Sequence, residues 1–185
     1  MTRTFRNTLN CILSCVFLSL CSSTLAATDT IYLIRHGEVV EQLGTKDKSK
    51  NPSLNERGQN MAQALAARLK QVPIQAIYTS QLDRTQQTAT PTANVHQLTI
   101  EIIAANKPLS AHIDATATAV LNTLSNAEGG SVLVVGHSNT VPMIIKALGG
   151  PELATLDHDA FGDLFILTRQ TDDGKITLQR EKLAW

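Results

Sequence analysis

Apolar positions along this chain follow two patterns that take turns. Ile31-Tyr32-Leu33-Ile34 is a short apolar run rich in β-branched and aromatic residues, the pattern of a buried strand. From Asn55 to about Gln71 the period changes: Met61, Leu65 and Leu69 recur at i, i+4, i+8 and give a helix one apolar stripe, with Asn55 as cap and Pro73 as stop. Ile74 to Tyr78 is a second strand, and a short helix is expected from Asp83 to Thr90, before Pro91. Leu98 to Ile103 reads as a third strand, and His112 to Leu124 as a helix with Val120, Leu121 and Leu124 inward. After the Gly129-Gly130 turn, Val132-Leu133-Val134-Val135 is the unbroken run expected at a sheet centre. Asn139 to Leu148 is helical, tolerates Pro142 in its first turn, and stops at Gly149-Gly150-Pro151. Leu164 to Leu167 and Ile176 to Leu178 flank the turn Asp172-Asp173-Gly174, a hairpin at a sheet edge. The segment from Val39 to Ser53 is polar and irregular and reads as a loop over the first strand's end. Alternation of this kind predicts an α/β fold with a mainly parallel sheet.

The pattern breaks at the N-terminus. Arg3 and Arg6 precede an apolar stretch from Ile12 to Leu20, and small residues occupy Thr24 and Ala26. This reads as a secretory signal peptide over residues 1–26, too short in its core for a membrane span, with a single domain over 27–185 and cleavage expected after Ala26. A retained N-terminal anchor is the alternative. The expected location is periplasmic or secreted. Cys11, Cys15 and Cys21, the chain's three cysteines, would leave with the signal, which removes disulfides and thiol chemistry from the mature domain. The chain has 16 basic and 16 acidic residues. Loss of Arg3 and Arg6 leaves a mildly acidic domain with no general attraction for nucleic acid or anionic membrane.

The chemistry gathers at strand ends. The first strand runs into Arg35-His36-Gly37-Glu38, the second into Thr79-Ser80 with Arg84 one turn later, and the central one into Gly136-His137-Ser138-Asn139. Ligands of open parallel sheets bind outside the carboxyl ends of the strands. Two arginines and two histidines therefore converge on one crevice, with Gly37 and Gly136 allowing close approach and a helix near Asn139 aiming its positive end there. Such a pocket suits a phosphate, the group a guanidinium holds best, and calls for no cofactor or metal. His96, His112 and His158 lack this context and read as surface or capping residues; no HExxH or paired-histidine spacing is present.

Arg35-His36-Gly37-Glu38, the segment LNERGQNMA from Leu54, YTSQLDRTQQTA from Tyr78, and Gly136-His137-Ser138-Asn139 resemble the motifs of the histidine phosphatase superfamily, in its phosphoglycerate mutase-like branch. The resemblance spans nearly the whole mature domain. It implies a three-layer α/β/α sandwich with a mostly parallel central sheet and an antiparallel edge. It also implies a metal-independent phosphoric monoester hydrolase acting on a small phosphorylated substrate. By the same resemblance His36 is the nucleophile that becomes phosphohistidine, Arg35, Arg84 and His137 clamp the phosphoryl oxygens, and Gly37 and Asn139 shape the pocket.

One departure stands out. Many family members carry a glutamate general acid shortly after the third strand, where this chain reads Ala104-Ala105-Asn106-Lys107-Pro108-Leu109. Glu101, Asp114 and Glu38 are the remaining weak candidates; Glu38 is read as orienting an arginine or holding the motif turn. A missing acid weighs on alkoxide leaving groups, where proton donation is worth ~10²–10⁴-fold. Two alternatives to the phosphatase follow: a phosphate-binding module without turnover, motivated by the missing acid, and a phosphomutase, which short inserts around the pocket disfavour.

Overall fold

The computed structural model describes residues 27–40, 51–106, 108–126 and 129–185. The expected signal peptide and most of the 39–53 loop lie outside the described residues. The elements are β1 (Thr28–Arg35), α1 (Glu56–Leu69), β2 (Ile74–Thr79), α2 (Asp83–His96), β3 (Ile100–Ile102), α3 (Leu109–Ser125), β4 (Ser131–Gly136), α4 (Thr140–Ala147), β5 (Asp163–Gln170) and β6 (Ile176–Lys182).

The strands form one sheet in the order β3-β2-β4-β1-β5-β6. The first four strands in that order run parallel; β5 is antiparallel to β1, and β6 to β5. The mostly parallel sheet with an antiparallel edge is therefore the one expected. Strand alternation sends Ile31, Leu33, Val132 and Val134 to one face, against Val120 and Leu124 of α3 and Ile144 and Ile145 of α4. Tyr32, Ile34, Leu133 and Val135 face the other way, onto Met61, Leu65 and Leu69 of α1 and Ala89 and Ala93 of α2. Two cores on opposite faces of one sheet make the three layers. In β2 the register slips between Ile74 and Ala76, so Ile74 joins the α1/α2 core while Ala76 joins the α3/α4 core.

Helix ends follow the sequence signals in part. The Asn55 side chain caps α1 by accepting from the Gly58 N–H at 2.8 Å. α4 stops at Gly149 (φ +88°), where the Gly149 and Gly150 N–H groups donate to Lys146 and Ile145 carbonyls, a Schellman closure.

Three expectations need correction. α2 does not stop at Thr90 but runs through Pro91 to His96. Pro91 gives the Gln87 carbonyl no N–H, yet Thr92 and Ala93 beyond it are buried, and that packing outweighs an interior proline cost of about 3 kcal/mol. The third strand covers Ile100–Ile102 only. Gln97 adopts a left-handed conformation (φ 56°), and the Leu98 N–H is taken by Ala93 O at 3.0 Å, which holds Leu98 in the helix-end turn. α3 begins at Leu109, one turn early, so His112 lies inside it and is buried rather than on the surface.

Candidate active site

The two central strands deliver the two histidines. Arg35 pairs with Gly136 in the β1–β4 register, and the His36 N–H donates to Gly136 O at 2.9 Å. His36 and His137 therefore leave adjacent strand ends side by side, with ring centroids 5.3 Å apart and planes at 65°. β2 ends on the other flank of β4, and Ser80 just beyond it meets His137: Oγ lies 3.0 Å from Nε2. Arg84 sits in the first turn of α2, half-buried, where its charge bears on both imidazoles.

His36 is buried and its Nδ1 lies 2.8 Å from Gly37 O. A carbonyl only accepts, so Nδ1 carries the proton and Nε2 keeps its lone pair. Burial first, then the His137, Arg84 and Arg35 charges, push the His36 pKa down to about 3, against the Gly37 hydrogen bond. His137 is likewise lowered to about 4, by burial and then by Arg84, His112 and Arg35. Both imidazoles are neutral at ordinary pH.

Arg35 is buried, and its Nη1 donates to the carbonyls of Asp157 (3.0 Å) and His158 (2.8 Å). The guanidinium carbon stands 4.0 Å over the Phe161 ring. Its Nε is buried without a hydrogen-bond partner. A buried charged donor without a partner on the residue next to His36 fits an anion-binding site. Burial lowers the pKa of Arg35 and of Arg84, and both remain cations.

The turn carrying His36 is held by backbone contact. The Gly37 N–H donates to Thr88 Oγ1 at 2.9 Å. A Cβ on Gly37 would lie 2.8 Å from Gly58 Cα, and one on Gly58 would lie 2.1 Å from Glu38 O. Glu38 Oε1 accepts from Asn55 Nδ2 at 2.8 Å, and its Oε2 meets Arg57 Nε at 3.1 Å.

Beside His36 opens a cavity of ≈ 520 Å³, lined by Arg35 and His36, by Glu38, Val39 and Arg57, by His158, Asp159 and Phe161, and by Lys182 and Trp185. Arg84 and His137 flank His36 outside this lining. Asn139 is exposed, makes no capping hydrogen bond to α4, and is also outside it. Glu101 and Asp114 are exposed and stand away from the cavity. The carboxylates on its wall are Glu38 and Asp159. Among the described residues no group of three or more His, Cys, Asp or Glu is arranged to hold a metal ion.

Sequence reasoning missed Phe161, Arg57, Lys182, Trp185 and the His158–Asp159 pair. The last reach the site through a loop and the β5–β6 edge, without a local motif. Arg57 lay inside the second motif, where its position next to Glu38 through Asn55 was the available signal.

A model of the histidine phosphatase superfamily, branch 1, matches residues 31–105, which carry His36 and Arg84. Over these residues the chain is similar to the histidine phosphatase superfamily. No curated protein matches the chain. Among solved structures it is similar to phosphoglycerate mutase from Bacillus anthracis str. Sterne, at 18% identity over 84% of this chain and 93% of that one, with a TM-score of 0.63. The protein histidine phosphatase SixA complexed with tungstate is similar at 20% identity over 83% of this chain and 96% of that one, TM-score 0.63. Mycobacterial glucosyl-3-phosphoglycerate phosphatase complexed with VO3 is similar at 16% identity over 85% and 98%, TM-score 0.61. At these identities the likeness concerns the fold, which is phosphoglycerate mutase-like.

Proposed function

We propose that this chain is a member of the histidine phosphatase superfamily, an exported phosphatase that hydrolyses a small phosphate monoester through a phosphohistidine on His36. The observation that carries this reading is the state of His36: Nδ1 tied to Gly37 O, Nε2 free, the ring neutral, with Arg35, Arg84 and His137 around it. Two similar folds solved with the phosphate-like oxyanions tungstate and VO3 agree with it.

In the first step the Nε2 lone pair attacks phosphorus and the bond to the leaving oxygen breaks. Arg35 and Arg84 carry the charge on the phosphoryl oxygens, donors that strengthen as charge develops. The Nδ1–H stays on Gly37 O, so the phosphorylated ring is cationic and departs later as neutral imidazole. In the second step water attacks phosphorus as the N–P bond breaks, the water's proton returns to the group that protonated the leaving oxygen, and phosphate leaves. Splitting the displacement lowers each barrier.

The leaving oxygen needs a proton. Glu38 is held by Asn55 and Arg57. Also lining the cavity, His158 Nδ1 and Asp159 Oδ1 pair at 3.0 Å, both side chains almost fully exposed. The His158–Asp159 pair is the donor within this reading. Export rests on the Arg3, Arg6 and Ile12 to Leu20 pattern; among the described residues no helix is long and apolar enough to cross a membrane.

The test is trapping. Wild-type protein quenched during turnover of a labelled ester should carry acid-labile, base-stable label, and His36→Ala should carry none. Equal labelling of both proteins would sink the reading. Edman sequencing of secreted material should begin at Ala27.

A further inference from the structure

The cavity does not end at the phosphoryl site. Arg57, Lys182 and Trp185 line both it and a second groove with Asn60, Leu183 and Ala184, so the space beside His36 continues along β6. A phosphoryl group fills a small part of ≈ 520 Å³, a volume in the range of small-molecule sites. The remainder has a definite chemistry.

Trp185 forms one wall. Its ring lies against Gly162: a Cβ there would come within 2.0 Å of Cζ3 and 2.4 Å of Cη2. Gly162 has a positive φ of +76°, and its carbonyl accepts from the Leu183 N–H at 2.9 Å. The indole is seated on backbone that the fold fixes, while 42% of the residue stays exposed. An indole seated on backbone with this much of its surface exposed can serve as a stacking platform. Two cations stand beside it. Arg57 meets Glu38 through Nε, with a largely exposed side chain. Lys182 Nζ donates to Phe161 O at 2.7 Å and lies 3.4 Å from Asp163 Oδ1. Both cations are held by these contacts and line the cavity and the groove.

We propose that this groove is the leaving-group subsite for a ring-bearing phosphate monoester, a sugar or nucleoside phosphate, with Trp185 stacking the ring and Arg57 and Lys182 meeting its polar or anionic substituents. The assignment rests on the phosphatase reading for its term "leaving group", and its test is independent of turnover.

Trp185 is the single tryptophan of the chain, so intrinsic fluorescence reports on this subsite alone. The full-length mature protein carrying His36→Ala is titrated with adenosine 5′-monophosphate, glucose 6-phosphate and ethyl phosphate. Binding is followed in parallel by thermal stabilisation. A saturable change in emission is expected with a ring-bearing ester and none with ethyl phosphate. Strong quenching by the nucleotide alone assigns a nucleobase; a response to the sugar phosphate alone assigns a sugar. In wild-type protein Trp185→Leu should lower kcat/KM about tenfold for the responding ester and by clearly less for ethyl phosphate, and Arg57→Gln should raise KM for the responding ester. Stabilisation by ring-bearing esters with unchanged emission overturns the subsite, as does an equal emission change with ethyl phosphate or no response to either ring-bearing ester. If emission responds but wild-type protein hydrolyses none of the panel, the phosphatase reading falls and the ring subsite stands.

Discussion

The His36 and His137 rings stand 5.3 Å apart because the strands that deliver them are hydrogen-bonded neighbours, joined at their ends by the His36 N–H to Gly136 O bond. Two imidazoles so close, buried and flanked by Arg35 and Arg84, resist protonation together. The consequence is a pH-dependent strain on the fold.

Each imidazole titrates near 6.5 when unfolded and at about 3 (His36) or about 4 (His137) when folded. Below pH 6.5 the unfolded chain binds more protons than the folded one, so stability falls as pH drops toward 4, by on the order of a few kcal/mol. Asp163 has its pKa lowered below the ordinary carboxylate range, so its loss of stability comes only at still lower pH. The melting temperature should therefore decline between pH 6.5 and 4.5, and His36→Asn or His137→Asn should flatten that decline. A wild-type Tm that is constant over this window would contradict the neutral pair. In NMR spectra the two ring signals should hold their positions from pH 8 to 5.

Arg35→Lys tests the buried guanidinium. A lysine ammonium is a point charge without a planar fork, and it cannot hold the Asp157 and His158 carbonyls, stack on Phe161 and keep an N–H for phosphate together. The expected result is a fall in kcat of about 10²-fold or more, together with a loss of roughly 1–3 kcal/mol of stability. A variant that keeps wild-type kcat shows that Arg35 serves the 157–161 loop only. Denaturant curves and steady-state rates separate the two effects.

Gly58→Ala should act on the nucleophile from outside the cavity. Its Cβ would meet the Glu38 carbonyl oxygen at 2.1 Å, backbone against backbone, so one of the two segments has to move. Overpacking of this kind costs about 1–3 kcal/mol. The displaced segment is the turn that sets His36, so kcat should fall as well. Ala62→Gly, in the same helix but away from the turn, should cost about 1 kcal/mol through helix propensity and leave kcat unchanged.

These contacts show which parts of the site the sequence exposes. Arg35-His36-Gly37 and Gly136-His137 are legible because each is a local cluster following an apolar run, and parallel strands put their carboxyl ends together. Arg84 is legible because it falls one turn into the helix after β2. Phe161, Lys182 and Trp185 are not: they arrive from the ends of β5 and β6, more than a hundred residues from His36, and only the antiparallel edge brings them in. His112 was misread because a polar residue inside α3 gives no periodic sign of burial. Pro91 misled for the opposite reason: a strong local stop signal was overridden by the packing of Thr92 and Ala93 behind it.

The His158–Asp159 pair makes the last prediction, and it turns on the leaving group. A p-nitrophenolate departs without a proton, whereas an alkoxide gains ~10²–10⁴-fold from one. The pair lines the same cavity as His36, and neither side chain carries the fold, since both are almost fully exposed. His158→Gln and Asp159→Asn should therefore leave the melting temperature and p-nitrophenyl phosphate hydrolysis near wild type while lowering kcat for an alkyl phosphate at least tenfold. Arg35 holds this loop through backbone carbonyls, which the substitutions retain; His158→Gln also leaves in place the Asp159 charge that bears on the Arg35 guanidinium, so it is the cleaner of the two variants. Equal loss on both substrates would assign the pair to positioning Arg35 instead of to proton donation. No loss on either would return the question to Glu38, the other carboxylate on the cavity wall, which Asn55 and Arg57 would then have to release.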